Sequence, residues 1–343
     1  MMSDDSGLRA LGWNEHWEQA LAALGSELEP ARVAVEHRID YEVLAAAGRL
    51  RVPLASHLRA AASSPVDLPA VGDWVALADG HVQAVLPRRS AFVRRAAREP
   101  TRAQVIAANI DVVFIVTSAN NDFNPRRIER YLAAVQDSGA TPVLVVNKVD
   151  LCESPEALLA ELGVAREGLA IACVSSLERR GKASLEQHLS GGKTAALVGM
   201  SGVGKSSIAN WLLSDEALAT AAVRGSDDRG QHTTSHRTLL PLPGGGVLID
   251  TPGMRELGLW MDAASLARSF SDIEALAQQC RFGDCKHLAE PGCAVRAAIA
   301  AGTSDSGRVA HYEQLREELG GGSNATARKP GGVRRTARSR KPR

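Results

Sequence analysis

The 343-residue chain has no apolar run approaching the roughly 20 residues that a membrane-spanning helix needs. Its opening stretch, MMSDDSGLRALGWNEHWEQ, is acidic and lacks the apolar core of a secretion signal. Cysteine is sparse: five residues are too few for a disulfide scaffold at this length. These absences set the expectation of a cytoplasmic, reduced protein, and a monomer is expected. Net charge is also nearly absent, because 40 basic residues against 39 acidic ones leave +1. The molecule as a whole is therefore no polycation, and any nucleic-acid partner must be held by a local basic patch.

Hydrophobic content of 45% supports ordinary globular cores, and the length suggests two or three domains. Residues 8–25 carry Leu8, Leu11, Trp13, Trp17, Leu21 and Leu24 mostly on one helical face, which predicts a short amphipathic helix packed on the body of the protein. From Ala31 to about residue 100 the texture is short alternating stretches separated by turns, with the hairpin signal Asp79-Gly80 among them. About five strands in some 70 residues predict a small closed barrel, most simply an OB-fold. From Asp111, apolar strands alternate with helical stretches, the signature of a parallel sheet covered on both faces. After Met261 the chain turns helical and cysteine-bearing. It closes on a tail with eight Lys or Arg residues between Arg328 and Arg343, no acid, and too little apolar content to fold. The expected organisation is a helical segment (1–30), an OB-fold barrel (31–100), an α/β nucleotide domain (101–261), a mainly helical metal domain (262–320) and a disordered basic tail (321–343).

The nucleotide domain carries its own chemistry. Gly199-Met200-Ser201-Gly202-Val203-Gly204-Lys205-Ser206 fits G-x-x-x-x-G-K-[ST], between the strand AALV and a helix that begins with Lys205, Ser206 and Ser207. Its glycines let backbone N–H groups converge on phosphate, and the helix points its positive end at the same place. Lys205 then reaches the β- and γ-phosphates, and the Ser206 hydroxyl ligates Mg²⁺. Downstream, Asp250-Thr-Pro-Gly253 follows the strand GVLI, placing a carboxylate for Mg²⁺ and a glycine N–H for the γ-phosphate. Upstream stands Asn147-Lys148-Val149-Asp150. The Asp150 carboxylate can accept two parallel bonds from the ring N–H and exocyclic amine of guanine, a donor pair adenine lacks. Asn147 supports the neighbouring loops, and the Lys148 stem covers the base. Ser175 and Ser176, ending the next strand, can offer a backbone N–H to the guanine O6.

In an ordinary GTPase the asparagine–lysine–aspartate element follows the phosphate loop. Here it precedes it, so the order is circularly permuted. Sheet neighbours depend on spatial contact rather than chain order, and permutation at surface loops is tolerated. The hydrolytic residues are less sharply marked. Met254 follows Gly253 where Ras-like enzymes place a water-orienting glutamine, a task a thioether cannot perform. The stretch from Arg229 to Arg237 occupies the first-switch place: Thr233 or Thr234 is expected to contact Mg²⁺ and the γ-phosphate, and His232 is a candidate to position water.

Cys280, Cys285, His287 and Cys293 form C-x4-C-x-H-x5-C, a closed set of three thiolates and one imidazole suited to a structural, tetrahedral Zn²⁺. Arg88, Arg89, Arg94, Arg95, Arg98 and Arg102 cluster between the barrel and the nucleotide domain. With the arginine tail they suggest RNA contact.

Taken together, VIAANID ahead of the sheet, NKVD, GMSGVGKSS, GQHTT, DTPGMRE and the Cys-Cys-His-Cys spacing resemble the bacterial ribosome small-subunit-dependent GTPase A family, the RsgA/YjeQ type, over residues 30–320. The resemblance implies a GTPase stimulated by the 30S subunit, binding 16S rRNA and acting late in small-subunit maturation. It also implies a hydrophobic residue in the glutamine place, which Met254 matches. Two other readings remain open on the residues alone: a P-loop ATPase or kinase with a zinc module, separated by nucleotide selectivity, and a non-hydrolysing RNA-binding scaffold, separated by turnover.

Overall fold

The computed structural model describes residues 6–96, 99–120, 123–213, 237–250, 263–283 and 285–321. Among them no helix is long and apolar enough to cross a membrane. The chain divides into two compact units, residues 1–261 and 262–343.

The first unit begins with two short helices, α1 (Ser6–Ala10) and α2 (Glu15–Ala22), in place of one continuous helix. The chain turns between them, and the Asn14 side chain accepts the His16 N–H to start α2. The break lets Leu8, Leu11, Trp13 and Trp17 all reach the core, while Leu24 stays exposed. Trp13 meets Trp74 edge-on at 4.8 Å, and Trp17 lies 6.3 Å from the same ring. Each buried indole removes about 150–250 Å² from water, roughly 4–6 kcal/mol at about 25 cal/mol per Å².

Strands β1 (Glu29–Glu36), β2 (Asp40–Ala45) and β3 (Gly48–Pro53) form an antiparallel meander, followed by the short helix α3 (Ser56–Ala61). Strand β4 (Trp74–Ala78) pairs with β1 and with β5 (His81–Val85). A parallel bridge from Leu54 to Val82 links the end of β3 to β5 and closes the ring β1-β2-β3-β5-β4-β1. Ala31, Val33, Tyr41, Val43, Val52, Val75, Leu77 and Val82 fill its interior. The stretch SAFVRRAA, expected within the 31–100 barrel, is not part of this ring: as β6 (Ala91–Ala96) it pairs, among the described residues, only with β7 (Glu99–Ala108).

Beyond the hairpin the parallel sheet comprises β8 (Val112–Ser118), β9 (Thr141–Asn147), β10 (Ala170–Cys173), β11 (Thr194–Val198) and β13 (Val247–Asp250) in the order β10-β9-β8-β11-β13. The antiparallel strand β12 (Thr238–Pro241) joins β13 on one side and, through Thr238 and Val35, the barrel strand β1 on the other. Barrel and parallel sheet are thus one hydrogen-bonded surface. Two apolar clusters, one including Ile115, Leu144 and Val198 and the other Phe114, Val145 and Leu197, cover opposite faces, as the near-continuous apolar strands require. Helix α4 (Pro125–Ser138) is capped by Asn124 and stopped by Gly139. Helix α5 (Pro155–Ala160) is capped by Ser154, and α6 (Ala183–Glu186) is a single turn. Helix α7 occupies residues 205–213.

Arg32 fastens the N-terminal segment to this frame. Fully buried, its guanidinium lies 5.3 Å from the Trp74 ring and donates to the carbonyls of Leu11, Gly72 and Asn109. Desolvation lowers its pKa to about 10, so it remains charged at neutral pH. Arg88, expected to face RNA, is instead held inside. Its Nε and Nη2 donate to the buried Asp73 carboxylate at 2.8 and 2.6 Å, and Nη1 and Nη2 donate to the carbonyls of Val66 and Leu68. A bidentate pair with a buried carboxylate is a structural tie. Of the other arginines in that stretch, Arg89 is half exposed beside Asp111, Arg98 lies outside the described residues, and the side chains of Arg94, Arg95 and Arg102 are also outside the description.

The second unit contains α8 (Ala263–Ser269), α9 (Ser271–Ala277), α10 (Ala294–Ala300) and α11 (Ser306–Gly321). Leu266, Phe270, Ile273, Val295, Val309, Tyr312 and Leu315 are among its buried apolar residues.

Candidate functional site

In an open parallel sheet, ligands bind outside the carboxyl ends of the strands. Parallel register places those ends on one edge: Cys173 opposite Val146, Ser118 opposite Asn147, and Val198 opposite Ile115. The loop 199–204 leaves β11 there, NKVD leaves β9, Ser175 and Ser176 leave β10, and Asp250 ends β13.

Asn147 joins the two halves. Wholly buried, its Nδ2 donates to the Val203 carbonyl at 2.9 Å, and its Oδ1 accepts the Ser176 N–H at 3.0 Å. One side chain thus bonds the phosphate loop and the loop that would meet the base. Gly204 packs against the Asn147 amide so closely that a Cβ there would collide with Nδ2. Gly199 is equally constrained: a Cβ would strike the Val116 carbonyl, and its φ of +141° disfavours other residues. Lys148, in the left-handed region at φ +61°, donates from Nζ to the Gly202 carbonyl at 2.8 Å, laying its stem along the junction.

Ser175 plays a part the sequence did not show. The expectation concerned its backbone, whereas its hydroxyl donates to Asp150 Oδ1 at 2.5 Å and accepts the Glu178 N–H at 3.1 Å. This orients the carboxylate that would read guanine. Lys205 curls over its own loop, donating to the carbonyls of Gly199 and Met200 at 2.7 and 2.6 Å. Ser206 and Ser207 are exposed in the first turn of α7, as metal or phosphate ligation requires, and Met200 and Ser201 form the exposed crown of the loop. Val149 starts a turn whose N–H bonds the Val174 carbonyl. Asp250 closes β13 paired with Thr238, and its side chain is outside the description. His232, Thr233, Thr234, Gly253 and Met254 lie outside the described residues. The arrangement brings a glycine loop, the Lys148 and Lys205 cations and a carboxylate fixed by Ser175 to one edge of the sheet, a set of groups suited to a guanine nucleotide.

In the second unit, Cys280, Cys285, His287 and Cys293 converge, their ligand atoms all within 4.8 Å of one another. Cys280 Sγ and Cys293 Sγ are 3.9 Å apart, and His287 Nδ1 lies 3.6 and 3.4 Å from them. Zn–S near 2.3 Å and Zn–N near 2.0–2.1 Å give tetrahedral edges of about 3.5–3.8 Å, so donor type and spacing both fit a four-ligand zinc centre. Cys293 also caps α10, its Sγ accepting the Arg296 N–H at 3.4 Å. The loop between ligands is organised by Glu290, whose carboxylate accepts the N–H groups of Lys286, Leu288 and Ala289. Those bonds, with one from its own N–H, hold its carboxyl down at about 2.

Residues 85–260 match the family model described as RsgA GTPase. A small ribosomal subunit biogenesis GTPase RsgA from Xylella fastidiosa is 45% identical over 327 residues, covering 92% of this chain and 98% of that protein. The crystal structure of YjeQ from Thermotoga maritima superposes with a TM-score of 0.62 at 25% identity, covering 86% of this chain and 99% of that one. That of YloQ, a circularly permuted GTPase, gives 0.60 at 24% identity over 89% of this chain and 97% of that one, a likeness of fold.

Proposed function

The chain belongs to the RsgA GTPase family and is a GTP hydrolase, and from that premise we propose that it acts on the small ribosomal subunit during late maturation. The 30S particle binds it through 16S rRNA and stimulates hydrolysis. The observation that carries the nucleotide half of this reading is the Asn147 side chain, which fastens a guanine-type loop to a phosphate loop across 56 residues of chain. In this reading Asp150, oriented by Ser175, reads guanine, and the Lys148 stem covers the base. Residues 199–204 and Lys205 hold the phosphates, and Ser206 and Asp250 hold Mg²⁺. Thr233 or Thr234 and Gly253 contact the γ-phosphate, and His232 positions water in place of the glutamine that Met254 replaces.

The partner reading is supported by the name of the Xylella fastidiosa relative, a small ribosomal subunit biogenesis GTPase that spans nearly this whole chain. The closed ring β1-β2-β3-β5-β4-β1 supports assigning the barrel as an OB-fold, a fold whose strand face suits oligonucleotides. Arg88 is withdrawn from that surface by Asp73, leaving Arg89, Arg94, Arg95, Arg98, Arg102 and the C-terminal tail as the proposed basic contacts. The Cys₃His cluster holds one structural Zn²⁺. Small subunits mature in the cytoplasm, which places the chain's work there. The test is GTP and ATP hydrolysis by the full chain with 30S particles, with 50S particles and alone. The reading expects turnover of GTP only, raised by 30S only; equal ATP turnover or indifference to 30S would overturn it.

A further inference from the structure

The zinc cluster has a neighbour that the C-x4-C-x-H-x5-C pattern does not include. Helix α11 carries Glu313, whose Oε1 lies 3.9 Å from His287 Nε2. Both atoms are fully buried, and neither has a hydrogen-bond partner. The imidazole is turned so that Nδ1 faces the sulfurs of Cys280 and Cys293, which leaves the ring proton on Nε2, pointing at the carboxylate. The other carboxylate oxygen, Oε2, is taken by Arg316 at 2.7 Å. The two oxygens are thereby divided: one is clamped by the guanidinium, and the other is left for the histidine.

The helix that presents Glu313 is fixed independently of the cluster. The Tyr312 hydroxyl donates to Glu274 Oε1 at 2.5 Å, and the Tyr312 ring packs 5.5 Å from Phe270. Arg308 forms an ion pair with Asp272 at 3.1 Å and covers Phe270 at 4.6 Å. Metal-ligating histidines characteristically donate their second ring N–H to a carboxylate, which fixes the tautomer and raises ligand basicity. We propose that Glu313, clamped by Arg316, is the positioning residue of the metal centre, accepting the Nε2–H of His287 so that Nδ1 is held toward the three thiolates. This rests on the reading of the cluster as a zinc site. His287 itself sits at φ +58°, a conformation a non-glycine residue leaves unless held. A bond at the far end of its ring helps keep it there.

The experiment uses the full chain loaded with Zn²⁺ or Co²⁺. Bound metal is measured first: wild-type protein without one equivalent of tightly held zinc overturns both the zinc reading and this proposal. With the metal present, affinity is measured by competition with a colorimetric chelator for wild type, Glu313→Ala and the near-isosteric Glu313→Gln, each also in a His287→Cys background that keeps four ligands but removes the imidazole. Glu313→Ala should lower affinity on the order of 10–100-fold beside His287, and Glu313→Gln by less, because its amide oxygen still accepts but carries no charge. They should change it by less than about twofold beside the cysteine, because no N–H remains to be held. The Co²⁺ d–d bands should shift in the His287 chain alone. An equal loss in both backgrounds means that Glu313 only stabilises the fold, and no loss in either means that it does nothing for the metal; either result overturns the proposal. Should the cysteine background fail to fold, the Nε2–H proton resonance of His287 decides. A downfield, slowly exchanging signal in the zinc-loaded wild type that is lost in Glu313→Ala supports the bond, and an unchanged signal refutes it.

Discussion

Asn147→Ala separates what the fold needs from what the nucleotide needs. The side chain is wholly buried and makes two bonds, to the Val203 carbonyl at 2.9 Å and from the Ser176 N–H at 3.0 Å. Truncation leaves one acceptor and one donor unpaired at the junction of two loops. At about 1–3 kcal/mol for each unsatisfied buried group, the loss is roughly 2–4 kcal/mol once water entry relieves part of it. Because both bonds join protein groups to each other and neither needs the ligand as a partner, the cost must appear in the free protein. Urea unfolding of the nucleotide-free variant should show the midpoint of the first unit lowered by about 1–2 M, given a slope of about 1–3 kcal/mol per molar. Guanine-nucleotide affinity should fall as well, because binding must then re-order two loops the wild type holds together. About 1–3 kcal/mol of added ordering corresponds to roughly 5- to 150-fold weaker binding at 1.4 kcal/mol per decade. A variant as stable as wild type without nucleotide but unable to bind GTP would refute the reasoning, since Asn147 would then act only on the ligand. So would a variant unchanged in both respects.

Two other outcomes are expected, one at the nucleotide edge and one in the second unit. Asp150→Asn keeps an oxygen for the Ser175 hydroxyl but loses the charged double acceptor. GTP affinity should drop by roughly 10²–10⁴-fold, at about 1.5–3 kcal/mol for each of two charge-assisted bonds. Xanthine nucleotides, which present a carbonyl where guanine has its amine, should bind better than GTP; paired titrations with the two nucleotides decide it. Glu290, held at about 2 by backbone N–H groups, binds protons more weakly folded than unfolded. Its contribution to stability is therefore complete above the ordinary carboxylate value of 4.5 and fades as pH falls toward 2. An NMR titration of its side-chain carbonyl carbon should show a midpoint near 2, and one near 4 would refute the bonded loop.

What could be read from the chain was chemistry packed into short spans. The phosphate loop occupies eight consecutive residues and the four metal ligands fourteen. Such motifs are set by the ligand's size, so spacing alone reveals them. The strands of the parallel sheet were legible because burial on both faces leaves continuous apolar runs such as DVVFIVTSA. What stayed hidden depends on distant partners. Local charge density cannot distinguish a solvated arginine from Arg88, paired with a buried Asp73 fifteen positions earlier. A lone arginine in an apolar strand gives no sign that Arg32 will bond carbonyls 21, 40 and 77 residues away. The apolar period of residues 8–25 was correct about the burial of Leu8, Leu11, Trp13 and Trp17 and wrong about Leu24 and about continuity, because the turn before Asn14 re-aims Trp13 and Trp17 onto Trp74.

The permuted order of the nucleotide elements is harmless for a reason the register makes concrete. Strand β8 lies between β9 and β11 and carries neither nucleotide motif itself. It pairs in parallel with both, Ser118 with Asn147 on one side and Ile115 with Val198 on the other. The alignment of the NKVD element with the phosphate loop is therefore set by ladder hydrogen bonds to a common neighbour. The Ala119 N–H bond to the Asn147 carbonyl, at 2.8 Å, extends that ladder to the site's floor. No connection between β9 and β11 along the chain enters this geometry, so either motif can come first. Chain order instead decides which flanking segments adjoin the site. Here strand β12, reached directly from the first-switch stretch, ends up bonded to the barrel through Thr238 and Val35. The nucleotide edge and the barrel are thus joined by a strand four residues long, which lies between the phosphate loop and Asp250 and so keeps its place whichever motif comes first.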